Sequence, residues 1–258
     1  MPIITLTTDL GHKDHYVAAV KGAILSQLPD VNIVDISHLV PTFNIQQAAY
    51  ILKNAWPNFP GGTIHIIGVN AEESVQTPHV AMLVGGHYFI GADNGIFSFL
   101  FDRVPDKIVE LTIKQDTDHM TFPVKDVFTK AACHLARGGT LEIIGNPKAN
   151  FLERSYFKPA TDINSIRGSA MYIDSYFNIV FNIPLALFKE VGKGRPFTIY
   201  FRNLVLSAIN KTYGDVLDGE ALALFNSAGY LEIAQNRGLL GKSEKVQLDE
   251  MITIQFDS

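Results

Sequence analysis

The N-terminal stretch Ile3-Ile4-Thr5-Leu6-Thr7-Thr8-Asp9-Leu10-Gly11 joins a short apolar strand to an immediate polar turn. Apolar side chains then recur at helical spacing through residues 16–28, and Pro29-Asp30 ends that helix. A second strand over residues 32–37 and a second helix over residues 45–55 follow. Strands that alternate with helices predict parallel strands joined by right-handed crossovers.

The rest of the N-terminal half continues this pattern. The further predicted elements are a strong strand over residues 63–69, a hairpin of residues 79–84 and 87–90, and a helix over residues 126–137. Gly85-Gly86 forms the turn of the hairpin, and Gly138-Gly139 follows the end of the helix. These elements complete a predicted α/β domain.

The sequence pattern changes near residue 160. From there on, short predicted strands separated by turns replace the alternation of strands and helices. One short helix is predicted over residues 185–191. The predicted strands are residues 168–174, 179–183, 197–201, 221–226, 230–234 and 251–256. We therefore predict an α/β N-terminal domain with a mostly parallel central sheet (residues 1–158), a linker within residues 151–164, and a C-terminal all-β barrel-like domain (residues 165–258).

Composition narrows the class of protein. The chain has 258 residues, of which 47% are hydrophobic and 18% are charged, and this is typical of a globular protein. The net charge of −5 and the scattered Lys and Arg argue against a nucleic-acid partner. The single cysteine, Cys133, excludes an intrachain disulfide and fits a reducing compartment. Neither a signal-peptide pattern nor a membrane span of about 20 apolar residues is recognised, so we expect a cytoplasmic protein without a membrane partner.

Candidate functional residues follow the predicted strands, because ligands bind at the carboxyl ends of strands in open α/β sheets. Asp9 follows the first strand, and its carboxylate suits the two hydroxyls of a ribose. The alternative interpretation is that Asp9 caps the following helix. Asp93-Asn94-Gly95 resembles a tight turn in which Gly95 supplies a positive φ.

The loop after the strand of residues 63–69 carries Asn70, Glu72, Glu73 and His79. Adjacent carboxylates and a histidine suit acid–base catalysis. A solvated acidic loop would have the same composition, so both interpretations stay open.

Metal binding is a competing interpretation, since His12 and His15 lie near Asp9 and Asp14. The eight histidines are otherwise scattered, without a His-x-x-x-His or Cys-x-x-Cys spacing. Glycine-rich phosphate loops and the Gly-x-Ser-x-Gly elbow of serine hydrolases are also missing from the sequence. We expect no metal and no cofactor, and an adenosine without phosphates remains compatible with the sequence.

Several segments together resemble the S-adenosylmethionine hydroxide adenosyltransferase family, which includes the fluorinases and chlorinases. They occur in the expected order over nearly the whole chain. The segments are Thr7-Thr8-Asp9-Leu10-Gly11, Val34-Asp35-Ile36-Ser37-His38, Phe59-Pro60-Gly61-Gly62-Thr63-Ile64-His65, Asp93-Asn94-Gly95-Ile96-Phe97-Ser98, Asp126-Val127-Phe128, Tyr172-Ile173-Asp174 and residues 226–234.

This resemblance implies an α/β domain, a C-terminal β-barrel and a homotrimer with its ligand sites at the subunit interfaces. It also implies substitution at the ribose C5′ of S-adenosylmethionine, with methionine as the leaving group. The nucleophile is water or hydroxide in the hydrolases and a halide in the halogenases. The protein is expected to contribute alignment, electrostatics and a dry pocket.

The resemblance also assigns expected roles to residues of this chain. Asp9 would hold the ribose hydroxyls, Tyr16 would line the methionine end, and Phe43 and Phe122 would be pocket aromatics. Methionine and adenine would be contacted by a second group of residues from the barrel of a neighbouring subunit. This group comprises Asp174, Asn178, Ser227, Ala234 and Asn236.

The chain departs from the family at the residues that activate water. The aspartate position holds Asn70, the arginine position holds Gln76 or Thr77, and the histidine position holds Pro123. Val124 stands where the halogenases have a small hydroxyl residue. In the barrel, Phe177 and Phe181 replace a usual glycine and threonine, and they are expected to reshape the adenine side.

Two functions follow from these departures. In the first, the protein is a hydrolase with a substitute catalytic set drawn from Asn70, Glu72 and Glu73, with His79 and His119 nearby. In the second, the protein binds S-adenosylmethionine or another adenosine derivative without turning it over. Positioned acid–base groups contribute about 10²–10⁴-fold in rate, so losing them would leave mostly proximity.

Overall fold

The computed structural model describes residues 1–115, 120–155 and 158–257. The chain forms two compact units, Met1–Tyr156 and Phe157–Ser258. Each unit has its own hydrophobic core and its own sheet.

The first unit alternates strands with helices. Its strands are β1 (Ile3–Thr8), β2 (Asn32–Ser37), β3 (Ile64–Gly68), β4 (His79–Val84), β5 (His87–Ala92), β6 (Lys107–Leu111) and β7 (Gly145–Pro147). Its helices are α1 (Tyr16–Leu25), α2 (Ile45–Ala55), α3 (Ile96–Leu100), α4 (Thr129–Ala136) and α5 (Leu141–Ile144). A 3-10 turn (Trp56–Asn58) follows α2, and a π-helical turn (Val124–Phe128) leads into α4.

The strands of this unit form one seven-stranded sheet in the order β2-β1-β3-β5-β4-β6-β7. The four strands β2, β1, β3 and β5 run parallel. β4 is antiparallel to both β5 and β6, so β6 shares the direction of the parallel strands, and β7 opposes it. The sheet is therefore mixed, with a parallel majority.

Two apolar layers cover the faces of this sheet, because side chains alternate along each strand. Ile66 of β3 packs with Val20 of α1 and Phe128 on one face. Ile67, the next residue of β3, packs with Leu52 of α2 and Phe97 on the other face. Helices α1 and α2 thus lie on opposite faces.

The second unit is mostly β-structure. Its strands are β8 (Ala160–Thr161), β9 (Ser165–Ile173), β10 (Ile179–Pro184), β11 (Phe197–Phe201), β12 (Leu204–Leu206), β13 (Ala221–Phe225), β14 (Tyr230–Gln235) and β15 (Met251–Phe256). Its helices are α6 (Leu185–Gly192) and α7 (Leu240–Ser243), with a 3-10 turn at Tyr213–Asp215.

These eight strands form an antiparallel sheet in the order β12-β11-β15-β9-β10-β14-β13, with β8 beside β9. The long strand β9 pairs with β15 and β10, one on each side. The sheet curls around a core that includes Phe181 and Phe201, and a bridge from Asn210 to Leu224 brings the segment after β12 to β13. The unit is nearly closed and barrel-like.

Several boundaries differ from the sequence-based prediction, and two helices give the clearest examples. The first helix ends at Leu25, because the N–H groups of Gln27 and Leu28 both bond to the carbonyl of Ile24 in a closing turn. The helix predicted over residues 126–137 is an α-helix only from Thr129, since a π-helical turn precedes it. Among the described residues, no helix combines the length and apolarity needed to cross a bilayer.

Candidate functional site

The carboxyl ends of β1 and β3 mark the point where the chain changes direction in the sheet. The chain passes from β1 through α1 to β2 on one side, then through α2 to β3 on the other. Ligands in open α/β sheets bind at such switch points. Asp9 follows β1 and Asn70 follows β3 by two residues, so the fold brings both to this edge.

The Asp9 carboxylate connects two neighbouring loops. Its Oδ2 accepts hydrogen bonds from the Phe43 N–H at 2.9 Å and from the Asn70 N–H at 3.3 Å. The N-cap position of α1 is held by His15, whose side chain makes no capping hydrogen bond. The helix-capping interpretation of Asp9 is therefore wrong, because its carboxylate faces the loops after β2 and β3 instead.

Both backbone donors to Asp9 belong to residues in the left-handed region, with φ of 63° at Phe43 and 46° at Asn70. This conformation is unfavourable for a bulky aromatic residue. Phe43 is 69% exposed, so burial of this residue does not offset the strain. Such strain beside a carboxylate is typical of a functional site.

Asn94 holds the end of the third strand in place. It is 2% exposed, and its Nδ2 donates to the carbonyls of Val69 at 3.1 Å and Asn70 at 2.9 Å. Its Oδ1 accepts from the Ile96 N–H. Gly95 has a φ of 99°, as the turn interpretation predicted, but the turn is also a buried anchor for the Asn70 backbone.

The neighbouring Asp93 is also buried, and it connects the turn to the end of the unit. Its Oδ1 accepts from the Leu152 N–H at 2.7 Å, and Lys148 Nζ lies 3.7 Å from Oδ2. Burial raises the pKa of this carboxyl group above its usual value. Asp93 therefore acts as a structural partner of the segment before residue 156.

The loop after β3 carries the proposed substitute catalytic residues. Glu72 and Glu73 are exposed, whereas His79 is 2% exposed. His79 Nε2 donates to the Ala71 carbonyl at 2.9 Å, and its Nδ1 lies 3.9 Å from Glu73 Oε2. Burial lowers the pKa of His79. His79 therefore anchors the loop, and Glu73 is the carboxylate nearest to His79. His119 lies outside the described residues.

An aromatic and apolar wall borders the same edge. The rings of Tyr16 and Phe122 meet edge to face at 5.3 Å, and Tyr16 is 39% exposed. Pro123 and Val124 are buried, and a Cβ added to Gly68 at the end of β3 would lie 2.9 Å from a Val124 methyl group. The apolar Val124 side chain therefore packs directly against the end of β3.

In the second unit, Asp174 and Asn178 form one compact turn between β9 and β10. Asp174 Oδ1 accepts from the N–H groups of Tyr176 at 2.9 Å and Asn178 at 2.8 Å, and Asn178 Nδ2 donates to Oδ2 at 3.1 Å. Phe177 in this turn has a φ of 60°, the conformation that favours glycine. Its ring lies 5.7 Å from Lys242 Nζ.

The expectation for Phe181 is wrong. Its side chain is 0% exposed and packs edge to face on Phe201 in the barrel core, at 5.0 Å between ring centroids. Alternation along β10 points it inward. It therefore fills the core and is not available to shape a binding surface.

The three remaining predicted residues differ in exposure. Ser227 is exposed at the turn between β13 and β14. Ala234 is 0% exposed and packs against Leu222 and Leu224, so its methyl group faces other side chains of the unit. Asn236 is 9% exposed and donates from Nδ2 to the Val216 carbonyl at 2.8 Å.

Among the described residues, no three His, Cys, Asp or Glu side chains converge in a way that could hold a metal ion. His12 and His15, the candidates of the metal interpretation, instead make ring contacts. His12 lies edge to face on His38, with ring centroids 5.1 Å apart, and His15 lies 4.5 Å from the Tyr16 ring.

Comparison with known families gives a match in each unit. The sequence pattern of the SAM hydroxide adenosyltransferase N-terminal domain matches residues 4–145, and that of the C-terminal domain matches residues 168–253. The chain belongs to the SAM hydroxide adenosyltransferase family. The resemblance that the motifs indicated is thereby confirmed.

Similar members of this SAM hydroxide adenosyltransferase family have named activities. An (R)-S-adenosyl-L-methionine hydrolase of Thermus thermophilus is 29% identical over 90% of this chain and 91% of its own length. One of Methanocaldococcus jannaschii is 30% identical over 71% of this chain and 67% of its own length. A fluorinase of Nocardia brasiliensis is 24% identical over 93% of this chain and 92% of its own length.

A solved structure shares the fold. The crystal structure of an uncharacterized conserved protein from Thermotoga maritima superposes with a TM-score of 0.88 and 28% identity, covering 99% of this chain and all (100%) of that one. The likeness to this solved structure therefore covers both units.

The burial of three polar residues of this family member was not predicted from the sequence: His38, Asn94 and Glu232. Glu232 lies on β14, is 3% exposed, and accepts from the Tyr213 hydroxyl at 2.7 Å and from Asn226 Nδ2 at 3.1 Å. Burial raises its pKa. The available signal was one carboxylate in the apolar run Leu231-Glu232-Ile233-Ala234.

Proposed function

We propose that the protein binds S-adenosylmethionine and catalyses its hydrolysis at the ribose C5′, giving adenosine and methionine. The observation that carries this proposal is the position of Asp9 at the switch point of the sheet. Among the described residues, both hydrogen bonds to its carboxylate fall on Oδ2, so Oδ1 can accept from a ribose hydroxyl. The family membership and the named hydrolases support the same substrate.

The chemistry needs little covalent help from the protein. Water attacks C5′, a C–O bond forms, and the C–S bond breaks with its electron pair moving to the sulfonium sulfur. Methionine leaves as a neutral thioether, and the water proton passes to solvent or to a nearby base. Alignment of water and sulfur in line with C5′ and exclusion of bulk water supply most of the rate enhancement. Phe122, Val124 and Tyr16 provide the apolar wall for such a pocket.

A second candidate function is binding without turnover. It is favoured by Asn70, Pro123 and Val124, none of which can take or give a proton at the positions where the hydrolases have acid–base groups or the halogenases a hydroxyl. Val124 is also buried against Gly68. The position at which the halogenases have a hydroxyl group is therefore occupied by an apolar side chain. In this case the scaffold acts as a sensor or carrier of S-adenosylmethionine or a related adenosine derivative.

The assembly and location are also part of the proposal. We propose a homotrimer with its sites at subunit interfaces, a cytoplasmic location, no cofactor and no nucleic-acid partner. In the trimer, Asp174, Asn178 and Ser227 would serve the ligand from the barrel side, with Asn236 and the backbone of Ala234. Sedimentation at several protein concentrations tests the assembly, and a monomer at all concentrations would contradict it.

The function is tested by incubating the purified protein with S-adenosylmethionine, with and without chloride, while chromatography follows products and calorimetry follows binding. Adenosine and methionine support the hydrolase, and binding without product supports the second function. Asp9→Asn should weaken binding at least about 10-fold, because a charge-assisted hydrogen bond is lost. The control is Asp30→Asn, an exposed aspartate at the opposite edge of the sheet. Equal affinity in both variants would reject the role of Asp9.

A further inference from the structure

A chain of polar side chains runs from the surface to the residue before Asp9. Lys21 Nζ lies 2.6 Å from Asp35 Oδ2, and Asp35 Oδ1 lies 3.0 Å from His38 Nε2. This second contact is a close approach that does not meet the criteria of a hydrogen bond. His38 Nδ1 lies 2.7 Å from Thr8 Oγ1. Thr8 is 0% exposed and His38 is 1% exposed, so the inner half of the chain is closed to solvent.

The charge on Asp35 determines which atoms donate and which accept in this chain of contacts. Burial by itself would raise the pKa of Asp35, but the hydrogen bond from Lys21 and the nearby His38 hold it below its usual value, so Asp35 is ionised. Its negative charge favours the His38 tautomer with a hydrogen on Nε2. Nδ1 is then an acceptor, and the Thr8 hydroxyl donates to it.

The direction of these bonds fixes the loop that carries Asp9. Because the Thr8 hydrogen points to His38, a lone pair of Thr8 Oγ1 is available to the Leu10 N–H, which donates to it at 3.3 Å. The Gly11 N–H donates to the His38 carbonyl at 2.8 Å. His38 therefore holds the backbone after Asp9 through both its side chain and its main chain.

We propose that His38 is a positioning residue: as the neutral Nε2–H tautomer between Asp35 and Thr8, it sets the loop geometry in which Asp9 receives a ribose. The ribose-binding part of this proposal rests on the proposed function. His38 is too buried to touch a ligand itself, so its effect passes through Thr8 and the loop. Because Asp9 would hold the ribose in both ground and transition states, the effect should fall on affinity or KM rather than on kcat.

Two pairs of substitutions separate this role from simple packing. His38→Asn keeps an oxygen near the position of Nδ1 and can still accept from Thr8, whereas His38→Gln keeps a donor towards Asp35 and loses that acceptor. Thr8→Ser keeps the hydroxyl, whereas Thr8→Val keeps the volume alone. Asp35→Asn, at a half-exposed position, tests the same chain if the buried variants do not fold.

The measurements are calorimetric affinity for S-adenosylmethionine and hydrogen exchange of the Leu10 amide. We expect His38→Gln and Thr8→Val to weaken binding about 10-fold and to speed Leu10 exchange, because one buried hydrogen bond is lost. His38→Asn and Thr8→Ser should stay within about 3-fold of the wild type, and Asp35→Asn should weaken binding about 3-fold. Wild-type affinity together with wild-type exchange in His38→Gln would overturn the proposal.

Failure of the proposed function gives a different result from failure of the positioning role. If the wild-type protein binds no S-adenosylmethionine, the proposed function fails, and Leu10 exchange alone decides the role of His38. Faster exchange in His38→Gln but not in His38→Asn supports that role, and equal exchange in both variants rejects it.

The pH profile is a further readout that packing alone would not move. The charged and titratable groups facing His38 are Asp35, Lys21 and His12. Burial lowers the pKa of His38, and Asp35 opposes that effect. Protonation at acid pH puts a hydrogen on Nδ1, which displaces the Thr8 hydrogen and competes with the Leu10 N–H. Affinity of the wild type should therefore fall on acidification, and His38→Asn should remove that step; identical acid profiles in both would contradict the proposal.

Discussion

Glu72 and Glu73 are neighbours in sequence, but they make different contacts. Glu73 Oε2 lies 3.9 Å from His79 Nδ1, whereas Glu72 contacts the loop through its carbonyl, which accepts from the Thr77 hydroxyl at 3.4 Å. If this loop activates water, Glu73→Gln should lower turnover about 10²-fold, and the matched Glu72→Gln should leave it nearly unchanged. Product formation by chromatography measures both; unchanged turnover in both variants would reject a rewired catalytic loop.

His65 makes stability depend on pH. It is 0% exposed, its Nδ1 lies 2.7 Å from Thr5 Oγ1, and its Nε2 lies 3.3 Å from His87 Nδ1. Burial, with His87 adding to it, lowers the pKa of His65 to about 3. The unfolded chain takes up this proton near the ordinary histidine pKa of about 6.5, so the stabilisation is complete above that pH and is lost as pH falls towards 3.

Urea unfolding should therefore give a free energy about 2 kcal/mol lower at pH 5 than at pH 7 from this residue. His65→Gln offers Thr5 a polar partner and cannot take the proton in this range. We expect its free energy of unfolding to vary less with pH than that of the wild type. A variant with the full wild-type pH dependence would show that other groups carry the effect.

Residue roles at the candidate site were only partly accessible from the sequence. Asp9 could be selected because it directly follows a strand, and the structure adds which loops its carboxylate joins. The burial of His38 and Asn94 could not be derived, since it depends on strands distant in sequence. The inward direction of Phe181 followed from strand alternation and could have been predicted.

Glycines in two elements should respond to alanine in opposite directions. Gly22 lies on the exposed side of α1, and an added Cβ would meet nothing within 4 Å. Gly22→Ala should stabilise the protein by about 0.5–1 kcal/mol, because alanine favours the helix. Gly68 ends β3, and its added Cβ would lie 2.9 Å from Val124 and 3.1 Å from Thr8.

Gly68→Ala should destabilise the protein by about 1–3 kcal/mol, the usual cost of overpacking. Thermal unfolding of the two variants beside the wild type measures both effects. Equal shifts of the melting temperature would contradict the close contact between β3 and Val124. Because this contact borders the candidate site, Gly68→Ala should also reduce affinity for S-adenosylmethionine.

Some elements with a clear periodicity were predicted with correct bounds at both ends, and some weakly patterned ones were missed. Helix α2 and strand β15 match the prediction at both ends. Strand β6 was missed because its sequence, Lys-Ile-Val-Glu-Leu, starts with a charge and is stabilised by pairing with β4 and β7. Helix α3 was missed because Ile-Phe-Ser-Phe-Leu is only five residues long and too short to show a helical period.

At the scale of the whole molecule, each unit buries its own core, so the units should fold separately. The core of the second unit includes Ile166, Phe181, Ile254 and Phe256, all at most 2% exposed and all within residues 158–257. All its named strand pairs are antiparallel and lie within this segment. A chain of this length can sustain an independent domain.

We therefore expect the segment Phe157–Ser258, expressed alone, to unfold cooperatively in urea. Phe181→Ala should cost the segment about 3–5 kcal/mol, since it opens a cavity in the core, and this is enough to abolish or strongly weaken the transition. Tyr200→Ala on the same sheet is the control, because Tyr200 is 47% exposed and the change should cost much less. A segment without a cooperative transition, or equal loss in both variants, would mean that this core depends on the rest of the chain.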